Sequence, residues 1–178
     1  FDNSTIAEEY RYEIISPQEC LTRIDSLMIV GLDTETTGFD PYTKKILCLQ
    51  IGNRENQYVI DNTVDIQLFK SFLEDRRRLF LLHNAKFDLR FFLHQRIVIT
   101  SVFDTYLAER LLYLGYPPGM HEMSLNACCQ RYLGVTLEKE IRGIIHREGL
   151  SASVIRYAAR DVEHSEDIYD AQQIELTR

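Results

Sequence analysis

Asp33 and Glu35 lie two residues apart, directly after the apolar stretch Leu27–Leu32 (LMIVGL), in a segment that continues DTETTG. The apolar stretch is typical of a buried strand, and side chains two apart on a strand point to the same face. Two carboxylates on one face repel each other, and a cation bound between them relieves that repulsion. For these residues taken alone, a solvent-exposed turn is the alternative interpretation.

Two further acidic residues occur in patterns of their own. Asp88 lies about one turn into a predicted helix that begins at Asn84, where the helix dipole favours an ionised carboxylate. Asp161 follows Tyr157 by four residues, which places both on one face of a long predicted helix. That face also carries apolar residues, and an acid on a packed face is costly unless it is paired or binds an ion. The alternative for Asp88 is an ordinary acidic residue in a first helical turn. The alternative for Asp161 is an aspartate that is hydrogen-bonded to a loop.

The three patterns together are more specific than any one of them. They supply four carboxylates from a strand, a helix start and a helix face: Asp33, Glu35, Asp88 and Asp161. Oxygen ligands without a nearby His or Cys cluster suit Mg²⁺ or Mn²⁺ better than Zn²⁺. Four anionic side chains can hold two divalent ions about 3.5–4 Å apart, the arrangement used in phosphoryl transfer.

Short strands and helices must position these residues. Strands are predicted at residues 10–15, 27–32, 46–52, 57–61, 79–82 and 102–103. Helices are predicted at 65–75, from Asn84, from Asp104 to 114, from Ser124 to 133, and over 151–174, the longest. Strands that come early and then alternate with helices predict an α/β domain with a mixed sheet.

Composition sets the class of protein. The chain has 178 residues, 45% of them hydrophobic, which fits one globular domain over residues 1–178 with a core at about 10–174. A net charge of −7 argues against a protein that coats nucleic acid irrespective of sequence. The four cysteines form no Cys-x-x-Cys pair, so we expect buried, reduced thiols and an intracellular location. No apolar run is long enough for a membrane span. The first residue is not Met, so we expect a domain cut from a longer protein.

The motifs resemble those of the DEDD superfamily of 3′–5′ exonucleases, which are DnaQ-like and have a ribonuclease H-like fold. GLDTETTG is similar to the first motif, HNAKFDLRFF to the second and YAARDVEHS to the third. Tyr157, four residues before Asp161, resembles the tyrosine subclass, which includes the proofreading domains of Pol I-type DNA polymerases and ribonuclease D-like enzymes. The resemblance covers residues 28–169 and implies a mixed five-stranded sheet flanked by helices.

The resemblance also implies roles for individual residues. Asp33, Glu35, Asp88 and Asp161 would bind two Mg²⁺ or Mn²⁺ ions, and Tyr157 would orient the attacking water. Residues near the terminal nucleotide and the scissile end would be Thr34, Thr36, Thr37, Asn84 and Phe87. The implied reaction hydrolyses the last phosphodiester of single-stranded DNA and releases a nucleoside 5′-monophosphate, as in proofreading. A polymerase domain in the same polypeptide is a further expectation.

Other interpretations stay open. One is an exonuclease that trims RNA 3′ ends in the manner of ribonuclease D, and another is a non-catalytic interaction domain that keeps the exonuclease fold. Many tyrosine-subclass members carry a Ser-x-Trp element before the last motif, where this chain reads EIRGIIHREG, so substrate preference cannot be carried over there. Candidate phosphate contacts are Lys44, Lys45, Lys139, Arg142, His146, Arg147 and Arg160. For the run Arg76–Arg78 we expect a solvated turn.

Overall fold

A computed structural model describes residues 12–60, 65–117, 119–137 and 160–178. Within these ranges the strands are β1 (Tyr12–Ile14), β2 (Ile29–Thr36), β3 (Ile46–Gly52), β4 (Gln57–Ile60), β5 (Leu79–Leu82) and β6 (Val102–Asp104). The helices are α1 (Pro17–Ile24), α2 (Lys70–Leu73), α3 (Ala85–His94), α4 (Thr105–Leu112), α5 (Leu125–Leu133) and α6 (Ser165–Leu176). A 3₁₀ turn, Ile66–Phe69, directly precedes α2.

The strands form one mixed sheet in the order β1-β4-β3-β2-β5-β6. β2 and β3 pair antiparallel, as do β3 and β4, whereas β2–β5, β5–β6 and β1–β4 pair in parallel. The predicted α/β class with a mixed sheet flanked by helices is therefore confirmed. The sheet has six strands instead of five, because the three-residue segments β1 and β6 both pair and extend the sheet at its two edges.

Helix starts agree with the predicted caps at three positions. The side chains of Asp65, Asp104 and Ser124 each accept a hydrogen bond from a backbone amide in the first turn. The predicted helix 65–75 is divided into a 3₁₀ turn and α2. Its first turn is tighter than an α-helix because the Leu68 amide donates to the Asp65 carbonyl only three residues back.

The last predicted helix, 151–174, differs from the structure in its described part. Residues 160–163 are helical, the helix is interrupted at His164, and α6 then runs from Ser165. The Ser165 hydroxyl donates to the Asp161 carbonyl at 3.0 Å. In a continuous helix that carbonyl would accept the Ser165 amide. The side-chain hydrogen bond competes with this backbone bond, and the helix is interrupted at this point. Residues 151–159 of the prediction lie outside the described ranges.

Arg78 corrects the expectation of a solvated turn over Arg76–Arg78. The residue is 7% exposed, and its side chain donates to the carbonyls of Asp25 and Leu27. It also forms an ion pair with Asp75 at 3.3 Å, and its guanidinium lies 4.3 Å from the centre of the Phe72 ring. Arg78 therefore joins the end of α1 to the segment before β5, while Arg77 stays exposed.

A buried carboxylate joins three helices. Glu109 on α4 has no exposed surface and accepts hydrogen bonds from His121, Arg131, Tyr132 (2.7 Å) and Gln172 (2.8 Å). These donors come from the α4–α5 connection, from α5 and from α6. A buried charge is tolerated when it is paired and saturated with hydrogen bonds, so this network holds α4, α5 and α6 in one arrangement.

All four cysteines are free and buried, as predicted. Cys128 and Cys129 of α5 pack with Leu137 and with Ile168 of α6 in a small apolar cluster. Burial raises the pKa of the Cys129 thiol to about 12, and the nearby charge of Asp161 contributes in the same direction. In the described part of the chain, no helix is long and apolar enough to cross a bilayer.

Candidate active site

Asp33 and Glu35 project from the same face of β2, as their spacing predicts. β2 pairs with β5 only through Ile29–Gly31, so both carboxylates lie on the part of the strand that extends past β5. On the other side, β3 supports them, with Gln50 opposite Asp33 and Cys48 opposite Glu35. The pairing slips between Glu35 and Thr36, where β2 leaves the sheet. The two acids therefore lie at the end of a central strand.

Asp161 completes a cluster of three carboxylates. One oxygen each of Asp33, Glu35 and Asp161 lies within 4.8 Å of the others. Glu35 and Asp161 are buried, and Asp33 is half-buried. At that separation two unit charges repel by about 3 kcal/mol for an effective dielectric of about 20. The donor set consists of hard carboxylate oxygens, which fits Mg²⁺ or Mn²⁺.

Gly31 allows the helical segment with Asp161 to approach the sheet. A Cβ atom at Gly31 would lie 2.8 Å from Val162 Cγ1 and 3.1 Å from the Val162 carbonyl oxygen. Val162 is itself buried and follows Asp161 directly. Gly31, which lies two positions before Asp33 on β2, thus faces Val162, the residue next to Asp161. Glycine in a strand often marks such a close approach.

Asp88 reaches the same region by a different route. It lies in the first turn of α3, is 2% exposed, and its Oδ1 accepts bonds from the Thr34 amide (3.1 Å) and hydroxyl (2.6 Å). Asp88 is not one of the three carboxylates whose oxygens lie within 4.8 Å of one another. Because Thr34 stands between Asp33 and Glu35, these bonds fix Asp88 beside the backbone that carries both. Thr34, expected near the terminal nucleotide, donates its hydroxyl to Asp88.

The helix starts where it is predicted, with Asn84 directly before α3, but the Asn84 side chain makes no capping hydrogen bond. Its backbone is left-handed (φ 63°, ψ 52°), which is uncommon for a residue other than glycine. Asp104 accepts the amides of Asn84 (3.0 Å) and Ala85 (2.9 Å) in its place, and also caps α4. The exposed Asn84 side chain is therefore free of a capping role, and Asp104 joins the starts of α3 and α4.

The loop between β2 and β3 borders the site and carries the other predicted substrate contacts. The Thr36 hydroxyl donates to the Gly38 carbonyl, and Thr37 Oγ1 accepts the Lys45 amide. Phe87 is half-buried and packs edge-to-face on Phe39 at 6.1 Å between ring centres. Phe39 is 79% exposed and was missed by the sequence interpretation. Its signal would have been an aromatic residue directly after Thr-Thr-Gly.

Tyr157 lies outside the described residues, as do Lys139, Arg142, His146 and Arg147. The role of Tyr157 therefore stays a prediction. Of the candidate phosphate contacts, the described ranges contain Lys44 and Lys45, both exposed in the β2–β3 loop, and Arg160, which is half-buried.

Comparison with known proteins decides the family. A family model described as 3′–5′ exonuclease matches residues 12–176. The chain belongs to the 3′–5′ exonuclease family. It is 32% identical over 148 residues to DNA polymerase I of Aquifex aeolicus (82% of this chain, 24% of that protein). It is 31% identical over 152 residues to ribonuclease D of Pseudomonas paraeruginosa (83% of this chain, 39% of that protein).

Solved structures agree with this exonuclease fold. Brucella melitensis NrnC superposes with a TM-score of 0.77 at 23% identity, covering 94% of this chain and 80% of that one. The chain spans about a quarter to two fifths of the length of the curated relatives. A polymerase domain in the same polypeptide finds no support in these comparisons. They confirm the expected superfamily and leave open the choice between DNA and RNA.

Proposed function

We propose that this exonuclease-family domain removes nucleotides from the 3′ end of single-stranded DNA and releases nucleoside 5′-monophosphates. One observation carries the proposal: carboxylate oxygens of Asp33, Glu35 and Asp161 lie within 4.8 Å of one another although the residues are far apart in sequence. Such crowding is unfavourable unless cations bind. The family model and the similarity to a DNA polymerase I support the same reaction.

The donor set fits divalent ions of the Mg²⁺ or Mn²⁺ type, and a structure of Brucella melitensis NrnC with bound Mg²⁺ is among the similar folds. Asp33, Glu35 and Asp161 would hold the ions, and Asp88, fixed by Thr34, would complete the set. Bound ions in such a site supply a more acidic water and neutralise charge on the reacting phosphate.

The protein groups around the ions have separate tasks in this proposal. Thr34 keeps Asp88 oriented, because Asp88 Oδ1 accepts hydrogen bonds from both the Thr34 amide and the Thr34 hydroxyl. The exposed ring of Phe39, backed by Phe87, offers a surface for the terminal base. Tyr157 would hydrogen-bond the attacking water. An unperturbed tyrosine has a pKa of about 10, so a group of this kind orients a water without removing its proton at neutral pH.

RNA is the second candidate substrate, and one observation favours it: the curated relatives include ribonuclease D of Pseudomonas paraeruginosa. The 2′-hydroxyl at the terminal nucleotide is the group that distinguishes the two substrates. Digestion of matched single-stranded DNA and RNA, each labelled at the 5′ end, with Mg²⁺ or Mn²⁺ compares them directly. Faster shortening of the DNA strand supports the proposal, and a clear preference for RNA replaces it with the second candidate.

Substitution at the cluster tests the chemistry itself. Asp33→Ala and Asp161→Ala should each abolish release of nucleoside monophosphates while the circular dichroism spectrum stays unchanged. Glu163→Gln is the matched control, since Glu163 lies on the same helical segment but outside the cluster of three. Near-normal hydrolysis by either alanine variant would refute the metal assignment. A wild-type protein that cleaves neither polymer would favour the non-catalytic interaction domain.

A further inference from the structure

The β2–β3 loop exposes a second aromatic side chain that the proposed reaction does not use. Tyr42 is 79% exposed, the same fraction as Phe39, and contacts the His94 ring edge-to-face at 5.1 Å between centres. Phe39 and Tyr42 thus each face an aromatic ring of α3, Phe39 at Phe87 and Tyr42 at His94. The loop lies along α3 and presents two flat rings on its outer side.

Hydrogen bonds within the loop hold Tyr42 in place. Thr37 and Lys45 close the loop through two bonds of 2.9 Å, one between backbone groups and one to the Thr37 hydroxyl. Inside it, Asp40 accepts the Tyr42 amide at 3.1 Å and the Thr43 hydroxyl at 3.0 Å. Pro41 fixes its own φ at the first central position of this turn. A ring held in advance loses little conformational entropy when a ligand stacks on it.

Helix geometry gives the spacing of the two rings from the site. Phe87 is the neighbour of Asp88, so the aromatic surface begins beside the carboxylates. His94 lies seven residues further along α3, about 10 Å at a rise of 1.5 Å per residue. At about 3.4 Å per stacked nucleotide, this distance corresponds to about three nucleotides.

The charges near the rings favour a polyanion. Lys44 and Lys45 follow Tyr42 in the loop and are exposed, and the Lys44 stem lies against Gly38, next to Phe39. Asp40, the acid within the loop, is engaged by the turn. Cations beside exposed rings are the combination that binds single-stranded nucleic acid without reading its sequence.

We propose that Tyr42, backed by His94, is a second base-stacking platform about three nucleotides upstream of the 3′-terminal nucleotide. It rests on the proposed function and specifies its substrate class: single strands of four or more nucleotides are processed more efficiently than dinucleotides. A dinucleotide reaches the surface at Phe39 but ends before Tyr42. Tyr42 is thus a specificity-determining residue for substrate length.

The test compares two substrates and four proteins. kcat and KM are measured for a hexanucleotide and a dinucleotide of the same base and sugar, with wild type, Tyr42→Ala, Tyr42→Phe and Tyr116→Ala. Tyr116 is the matched control, a tyrosine 60% exposed in the segment after α4. Tyr42→Ala should lower kcat/KM for the hexanucleotide by about 5- to 150-fold, mainly through KM, as measured for loss of one stacking ring. Dinucleotide hydrolysis should be unchanged, and Tyr42→Phe and Tyr116→Ala should match wild type.

Equal losses on both substrates would overturn the platform and make Tyr42 a support of the active-site loop. An unchanged hexanucleotide rate would overturn it as well. Binding of the labelled hexanucleotide without metal, followed by fluorescence anisotropy, adds a readout independent of hydrolysis. If wild type cleaves neither substrate, the proposed function fails, while weaker hexanucleotide binding by Tyr42→Ala still supports the platform and unchanged binding rejects it.

Discussion

Gly31→Ala adds one methyl group where the helical segment that carries Asp161 meets β2. The new Cβ would lie 2.8 Å from Val162 Cγ1 and 3.1 Å from the Val162 carbonyl oxygen. Val162 is 1% exposed, and the 3.1 Å contact is with its backbone oxygen, which no side-chain rotation can relieve. The backbone of residues 161–162 must therefore move away from the sheet, and Asp161 moves with it.

The contact distances set the size of the effect. Ordinary van der Waals contact begins at 3.4 Å, so the segment must shift by about 0.6 Å. Inserting a methyl group into a well-packed core destabilises a protein by about 1–3 kcal/mol. A displacement near 1 Å at a catalytic centre lowers the rate by up to about 100-fold. We expect Gly31→Ala to reduce kcat about 10- to 100-fold, a larger effect than its loss of stability implies.

The assay combines hydrolysis of a labelled single strand with thermal melting. Val162→Ala measures the effect of the shortened side chain alone. The double variant Gly31→Ala/Val162→Ala removes the 2.8 Å contact with Val162 Cγ1 and keeps the 3.1 Å contact with the Val162 carbonyl oxygen. The double variant should recover part of the activity lost by Gly31→Ala alone. Wild-type kcat and an unchanged Tm for Gly31→Ala would refute the reasoning, because they would mean that Asp161 does not depend on this close approach.

Three more predictions follow from single observations. Asp161→Asn should raise Tm without metal, because it relieves repulsion within the carboxylate cluster. It should also give a smaller Tm increase with millimolar Mn²⁺ than wild type does. Equal metal-induced increases in the two proteins would contradict the metal site. Thr34→Val should lower kcat at least about 10-fold, because Asp88 loses its 2.6 Å bond; an unchanged kcat would show that Asp88 needs no such support. Burial raises the pKa of three thiols to about 12: those of Cys20, Cys128 and Cys129. We expect these thiols to resist a thiol reagent at pH 8 until the chain unfolds, because the thiolate is the reactive form. Rapid labelling of any of them would contradict their burial.

Local rules were sufficient for the parts of the site that lie close together in sequence. Strand alternation alone places Asp33 and Glu35 on one face, and the caps at Asp65, Asp104 and Ser124 follow from residue type. The sequence was less informative where one residue is compatible with two local conformations. Ser165 suits a helix interior by pattern, but its hydroxyl bonds the Asp161 carbonyl and interrupts the helix.

Apart from the meeting of Asp161 with Asp33 and Glu35, which the motif resemblance implies, contacts between distant segments could not be read from the sequence. A glycine in a strand indicates a close approach but does not name the partner, so the Gly31–Val162 contact required the structure. The same holds for Glu109, whose donors come from three different segments, and for Asp88, whose partner Thr34 is 54 positions away. Each of these contacts depends on how elements pack, and no local pattern encodes it.

The proposed function requires an acidic chain to bind a polyanion, and two parts of the structure bear on this electrostatic problem. The net charge is −7, and three carboxylates meet within 4.8 Å, so a phosphate near Asp161 is repelled until cations occupy the cluster. The β2–β3 loop, by contrast, presents exposed lysines and the Tyr42 ring. Base stacking on that ring does not depend on the net charge of the chain. We infer that affinity for the upstream part of a strand is independent of metal, whereas engagement of its 3′ end requires it. The two contributions can therefore be altered separately, one at Tyr42 and the other at the carboxylates.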